Sequence, residues 1–183
     1  MRNAGRVALG LWNKLFQEPA EKVVESAPLW PGCVEPPEWE AGFIKALFLD
    51  FDGVLHRGNS GTLRHLPILE QYLHRWPDVG VVVISDWRIG ATLESLKGYF
   101  SDEFRPRVFA RTAEYPAGPN QRQEEVQDMV RRAGIHHYLV IDDDPDLYSP
   151  QFEPLLCPDP GEGLTSSDLE RVGERITSWG RTI

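Results

Sequence analysis

The chain has 183 residues, 41% hydrophobic and 26% charged, which suits one globular domain with a full core and room for an extension. Its net charge of -9 argues against a broad, sequence-independent grip on a nucleic-acid backbone, although carboxylates gathered around a metal would lower the total without describing the remaining surface. No stretch approaches the length of a membrane span.

Residues 1–40 read as an N-terminal extension. The opening MRNAGRVALGLWNKLF carries Arg2, Arg6 and Lys14 and no acids. Its apolar run is short and no small-residue cleavage site follows cleanly, so an amphipathic helix near 5–17 is expected rather than a targeting peptide. WPGCVEPPEWE follows, and its three prolines read as an irregular wrap or linker. Cys33 and Cys157 are too few for a disulfide framework and too isolated for a zinc site, so a reducing cytoplasm is expected.

Over 41–183 apolar strands alternate with amphipathic helices. FIKALFLDF is a continuous apolar strand; LPILEQYLHRW has helical spacing of Leu66, Leu69, Leu73 and Trp76; VGVVVIS is a second all-apolar strand; GATLESLKGYF is again helical. RPRVFA reads as a short strand, QEEVQDMVRRAG as an amphipathic helix stopped by Gly134, and HYLVID as a third strong strand. PLLC adds a short strand, and TSSDLERVGERITSW closes as a helix capped by Thr165 or Ser166, with Asp168 in its first turn. Strands apolar on both faces, alternating with helices, imply an α/β, Rossmann-like three-layer sandwich with a mainly parallel sheet.

In such sheets ligands bind beyond the carboxyl ends of the strands. Strand one ends in Asp50-Phe51-Asp52-Gly53, strand two in Ser85-Asp86-Trp87-Arg88, and the strand near 138–142 in Asp142-Asp143-Asp144-Pro145-Asp146. Side-chain alternation puts Asp50 and Asp52 on one side and turns Phe51 away. Gly53 permits a sharp turn with no side chain obstructing a ligand. Clustered carboxylates repel one another, and a hard divalent cation such as Mg2+ neutralises them while keeping positions for waters and a substrate phosphate. Of two neighbouring aspartates, one can then act as nucleophile and the other can handle protons.

An EF-hand loop does not fit, because Val54 stands where a third oxygen ligand is needed. A phosphorylation-receiver domain would require adjacent acids after its first strand and a lysine near the end of the sheet, and neither is present. Asp144 and Asp146 read either as turn caps or as groups orienting an inner carboxylate. Trp87 reads as a stacking platform for a base or sugar, or as hinge packing. Arg105, Arg107 and Arg111 read as a solvated face ahead of a phosphate patch, and His136 and His137 as structural.

DFDGVL at 50–55, the apolar strand ending in Ser85, and VIDDD at 140–144 resemble motifs one, two and four of the haloacid dehalogenase-like (HAD) phosphatase superfamily. FLDFDGVL, ISDWR, RQEEV, VIDDDPDL and DPGEGLTSSDLE further resemble the small HAD-like domains of bacterial RNA-repair proteins and the phosphatase half of polynucleotide kinase-phosphatases. The resemblance implies Asp50 as nucleophile and magnesium ligand. It implies Asp52 as general acid and base with its backbone carbonyl on the metal, Ser85 bonded to a phosphoryl oxygen, and Asp142 and Asp143 holding magnesium directly or through water. Gly53, Asp86, Trp87, Arg88 and Arg111 are the candidate substrate contacts.

Motif three departs from the family, which usually has a lysine there. The lysines are Lys14, Lys22, Lys45 and Lys97, none suitably placed between motifs two and four. Arg122, just ahead of the helix leading into the DDD strand, is the expected replacement, with Arg88 and Arg111 as competitors. Too little chain separates the motifs for a cap domain, so an open site is expected, suited to a phosphate on a bulky molecule such as an RNA or DNA 3′ end. The alternatives are a nucleotidase, a phosphoprotein phosphatase, or a non-catalytic binding module.

Overall fold

A computed structural model describes residues 33–180. Its sheet is built from β1 (Glu38–Trp39), β2 (Lys45–Leu49), β3 (Val79–Val83), β4 (Val108–Arg111), β5 (His137–Ile141) and β6 (Leu155–Leu156), in the order β1-β4-β3-β2-β5-β6. β1 pairs antiparallel with β4, and every other pairing is parallel. The helices are α1 (Leu66–Leu73), α2 (Leu93–Lys97), α3 (Gln121–Ala133) and α4 (Ser166–Ser178). The expected α/β architecture is the one observed. No large cap separates the motif segments: between β2 and β3 lie a loop and α1, and between β3 and β5 lie α2, β4, α3 and short turns of helix.

The two-faced strands explain the layering. Every residue of β2 and β3 is buried. Leu47, Leu49 and Phe51 point into a core shared with α1, α2 and α4, while Ala46 and Phe48 point into a second core with Val126 and Met129 of α3. Both faces are therefore covered, the condition under which a parallel sheet is stable. Gly134 ends α3 in the left-handed conformation at φ 65, and its N–H bonds the Val130 carbonyl. Thr165 and Asp168 form a reciprocal capping box at the start of α4.

The proline-rich stretch differs from the irregular wrap expected of it, because Glu38–Trp39 forms an edge strand. Glu35 and Glu38 both pair with Arg111, at 3.0 and 2.9 Å, and Glu40 pairs with Lys97 at 2.6 Å. Carboxylates spaced along this segment tie it to cations presented by β4 and α2, a signal that proline punctuation hid. The helix expected over 5–17 lies outside the described residues.

Candidate active site

β2 lies between β3 on one side and β5 on the other, so the chain reverses its direction of winding at β2, and the crevice opens beyond the ends of β2 and β5. The backbone carries the pairing one residue past each strand: Asp50 N–H donates to the Ile141 carbonyl and Asp142 N–H to the Leu156 carbonyl, at 2.9 and 3.2 Å. These bonds fix Asp50 and Asp142 at the rim. A cavity of about 200 Å³ sits there, lined by Asp50, Asp52, Asp86, Arg122, Asp142 and Asp143, among others. A larger hollow of about 620 Å³ between α1 and α4 gathers no comparable cluster of acids.

Oxygen atoms of Asp50, Asp142 and Asp143 all lie within 4.8 Å of one another. Burial, then the charge of Asp142, raises Asp50 well above the usual carboxylate range, with only Arg122 pulling against them. Burial also raises Asp142, opposed by Arg122, by the Tyr148 hydroxyl and by the Asp144 N–H. Asp143 is pushed up to about 6 by burial and by Asp142. Three carboxyls forced together with too little positive charge are the donor set a hard divalent cation relieves, so these residues fit Mg2+. The Asp52 side chain stands outside this group, being bound elsewhere.

Asp142 is held by two donors, Asp144 N–H at 3.0 Å and Tyr148 Oη–H at 2.7 Å. Asp144, one of the two balanced turn residues, thus orients Asp142 through its backbone and caps the following turn with its side chain, accepting from Asp146 N–H. The Asp52 carboxylate is held by Trp87 Nε1–H on Oδ2 and His56 Nε2 on Oδ1, each at 2.8 Å. Trp87 packs edge-on against Phe51 and Tyr99. Neither of the readings of Trp87, stacking platform or hinge packing, included a bond to Asp52. His56 and Tyr148 are neighbours of these aspartates that the motifs did not point to. DGVLH offered a histidine four residues after Asp52, but only the observed turn brings the two together.

Arg122, the candidate for the motif-three cation, lines the cavity beside Asp50. Its Nη1 is 3.6 Å from Asp50, its Nη2 2.8 Å from Asp86 and its Nε 3.4 Å from Glu125, and it also donates to the Ile84 carbonyl. Burial opposes its charge, but Asp142, Glu125 and Asp50 outweigh that and raise its pKa. Arg88 does not reach the cavity. It is 1% exposed and is bound by Glu125, Asp86 and the carbonyls of Ile84, Ser85 and Ala113. Arg111 is likewise withdrawn, enclosed by Glu35 and Glu38 at the sheet edge. Both competitors for the motif-three role are therefore placed as structural cations.

Two further expectations change. Gly53 has φ +66, and a Cβ there would run into the Asp143 carboxylate, so the space it keeps clear is filled by a side chain of the protein itself and not by a ligand. Ser85 is fully buried and its Oγ accepts the Trp87 N–H at 3.4 Å, capping the turn over Asp86–Arg88. Asp86 does line the cavity, where it accepts from Arg122 and Arg88. Asn59, on the loop after β2, also lines it.

Among protein families, the one described as the HAD domain in Swiss Army Knife RNA repair proteins matches residues 46–169, more than half of the chain. The chain belongs to this family. This places it among the HAD-type hydrolases, and the Asp50, Asp142 and Asp143 cluster falls inside the matched residues. Neither curated proteins nor solved structures gave a match. Among the described residues no helix is long and apolar enough to cross a membrane.

Proposed function

We propose that this HAD domain is a magnesium-dependent phosphomonoester hydrolase that works through an aspartyl-phosphate on Asp50 and acts on the phosphorylated 3′ end of a nucleic acid. The observation that carries the proposal is the convergence of Asp50, Asp142 and Asp143 within 4.8 Å beside a buried Arg122, 3.6 Å from Asp50.

A magnesium ion held by Asp50, Asp142 and Asp143 supplies, when bound, neutralisation of charge on the phosphoryl oxygens. An Asp50 oxygen attacks phosphorus, the ester P–O bond breaks, and the departing oxygen takes a proton from Asp52. Water then attacks the phosphorus, Asp52 accepts its proton, inorganic phosphate leaves and Asp50 is regenerated. Arg122 supplies a permanent cation beside the attacking carboxylate, the part a lysine usually plays. Asp52 is free for proton transfer because its side chain is not committed to the carboxylate cluster.

Cavity size, the open rim, the family and the net charge support a bulky substrate. A cavity of about 200 Å³ has room for a phosphoryl group but is below the volume usual for enclosing a whole small molecule. Among the described residues no cap closes over it, and the family occurs in RNA repair proteins. The net charge of -9 favours recognition confined to a terminus over binding along a backbone. The test is magnesium-dependent phosphate release from 3′- and 5′-phosphorylated oligonucleotides, mononucleotides and phosphopeptides, with Asp50→Asn as control. Release from 3′-phosphorylated oligonucleotides is expected. Release from mononucleotides alone would overturn the nucleic-acid reading, and release from nothing would overturn the enzyme reading.

A further inference from the structure

The Asp52 carboxylate is gripped at both oxygens by side chains outside the aspartate cluster, and both donors are set firmly. His56 is fully buried, and its Nε2 lies 2.8 Å from Asp52 Oδ1. Trp87 Nε1 lies 2.8 Å from Oδ2, its indole wedged edge-on against Phe51 and Tyr99 with centroids 5.5 and 5.2 Å away. The two rings also approach each other, with centroids 6.0 Å apart. A carboxylate oxygen has two lone pairs, so one donor on each leaves one lone pair on each for a proton or water.

The second nitrogen of His56 carries the argument further. When Nε2–H donates to Asp52, Nδ1 is left as an acceptor, and it is buried with no hydrogen-bond partner among the described residues. A buried polar atom without a partner destabilises a fold. An apolar side chain at 56 would fill the same site without that defect, so stability alone does not account for a histidine there.

We propose that His56 and Trp87 are positioning residues that hold the Asp52 carboxylate in the orientation needed to protonate the leaving oxygen, and that they thereby let the enzyme cleave esters with poor leaving groups. The proposal rests on the phosphatase reading above. The step it concerns is the first half-reaction: the P–O bond to the leaving group breaks while that oxygen gains the Asp52 proton. A sugar hydroxyl is a poor leaving group that needs this proton, whereas a nitrophenolate departs almost unaided. General-acid assistance is worth roughly 10²–10⁴-fold when it is needed, so a misaligned Asp52 penalises only the substrate that needs it.

The experiment compares kcat/KM, which reports transfer to Asp50, for 4-nitrophenyl phosphate and for a simple alkyl phosphate or a 3′-phosphorylated oligonucleotide. The full chain is used, with magnesium, in wild type and in the variants His56→Leu, His56→Gln and Trp87→Phe. Trp87→Phe removes the N–H and keeps a ring against Phe51 and Tyr99; His56→Gln restores a donor near the Nε2 position. Both His56→Leu and Trp87→Phe are expected to lose at least roughly tenfold more on the alkyl or oligonucleotide ester than on the nitrophenyl ester, with His56→Gln recovering part of that difference. Thermal unfolding of His56→Leu is expected at or above the wild-type temperature. Equal losses on both substrate classes, with wild type active on both, would overturn the positioning role and leave the phosphatase reading standing. Absence of magnesium-dependent hydrolysis by wild type on either class would overturn both.

Discussion

Gly53 and Asp143 share one space. The chain turns at Gly53 with φ +66, and the Asp143 carboxylate packs where a β-carbon on residue 53 would stand. Two strand ends are thus interlocked, so that the turn after β2 sets where a carboxylate after β5 points. Replacing Gly53 with Ala imposes left-handed strain of about 1–2 kcal/mol and pushes Asp143 outward. Gly53→Ala is expected to weaken magnesium binding at least as much as it lowers thermal stability. Titration of magnesium by calorimetry, beside a melting curve, checks this; unchanged magnesium affinity would contradict the interlock.

Arg122 and Lys97 offer a direct comparison of cations. Lys97 sits 2.6 Å from Glu40, while Arg122 faces Asp50 and is held in place by Asp86 and Glu125. Loss of a preorganised cation at a phosphoryl site lowers turnover by roughly 10²–10³-fold, which is the effect expected of Arg122→Ala. Arg122→Lys should recover only part of this, because a single ammonium cannot reproduce the planar fork whose three nitrogens face Asp50, Asp86 and Glu125 separately. Lys97→Ala should stay within a few-fold of wild type. Steady-state phosphate release on the three variants measures the ranking.

The aspartate cluster makes stability depend on pH and on magnesium together. Asp143 is pushed from 3.8 up to about 6, by burial and then by Asp142. A carboxyl raised in the folded state favours folding fully below about pH 4, and that contribution is lost as pH rises through about 6. The metal-free protein should therefore lose stability across this window on account of Asp143, and Asp50 and Asp142, also raised, act in the same direction. Magnesium binds the ionised forms, so it should raise the melting temperature above about pH 6.5 and have little effect near pH 4. Asp143→Asn should be more stable than wild type without metal above about pH 6.5, and should respond less to magnesium.

Arg111 serves the sheet edge. It is 3% exposed, with two guanidinium nitrogens that have no hydrogen-bond partner among the described residues and a third bound by Glu35 and Glu38. The double variant Glu35→Gln, Glu38→Gln leaves this buried cation without compensation, a defect expected to destabilise by about 3–5 kcal/mol at most. Chemical denaturation should show that loss, while kcat per folded molecule stays near wild type because Arg111 does not line the cavity.

The sheet and the aspartates gathered at its rim were legible because their signals are local. Short β-branched runs such as VGVVV favour strands buried on both faces, and strand-end aspartates announce themselves by interrupting apolar sequence. The closeness of Arg122 to Asp50 was also anticipated, through its position ahead of the DDD strand. What escaped were relationships set by turns and by pairs distant in sequence. Trp87 is 35 residues from the Asp52 it bonds, and Arg88 is 37 from the Glu125 that buries it. Ser85 lies at the expected strand end, yet burial and the cap it forms are tertiary facts. Glu38–Trp39 forms only two residues of strand, too short for periodicity to register, and becomes a strand because β4 presents an edge beside it.

In the proposed reaction Asp50 accepts the phosphoryl group. Borohydride reduction of the enzyme during turnover converts an aspartyl-phosphate to homoserine, which peptide mass spectrometry locates. Homoserine is expected at position 50 only when both a phosphorylated substrate and magnesium are present, and none in Asp50→Asn. Sustained phosphate release with an unmodified Asp50 would contradict it.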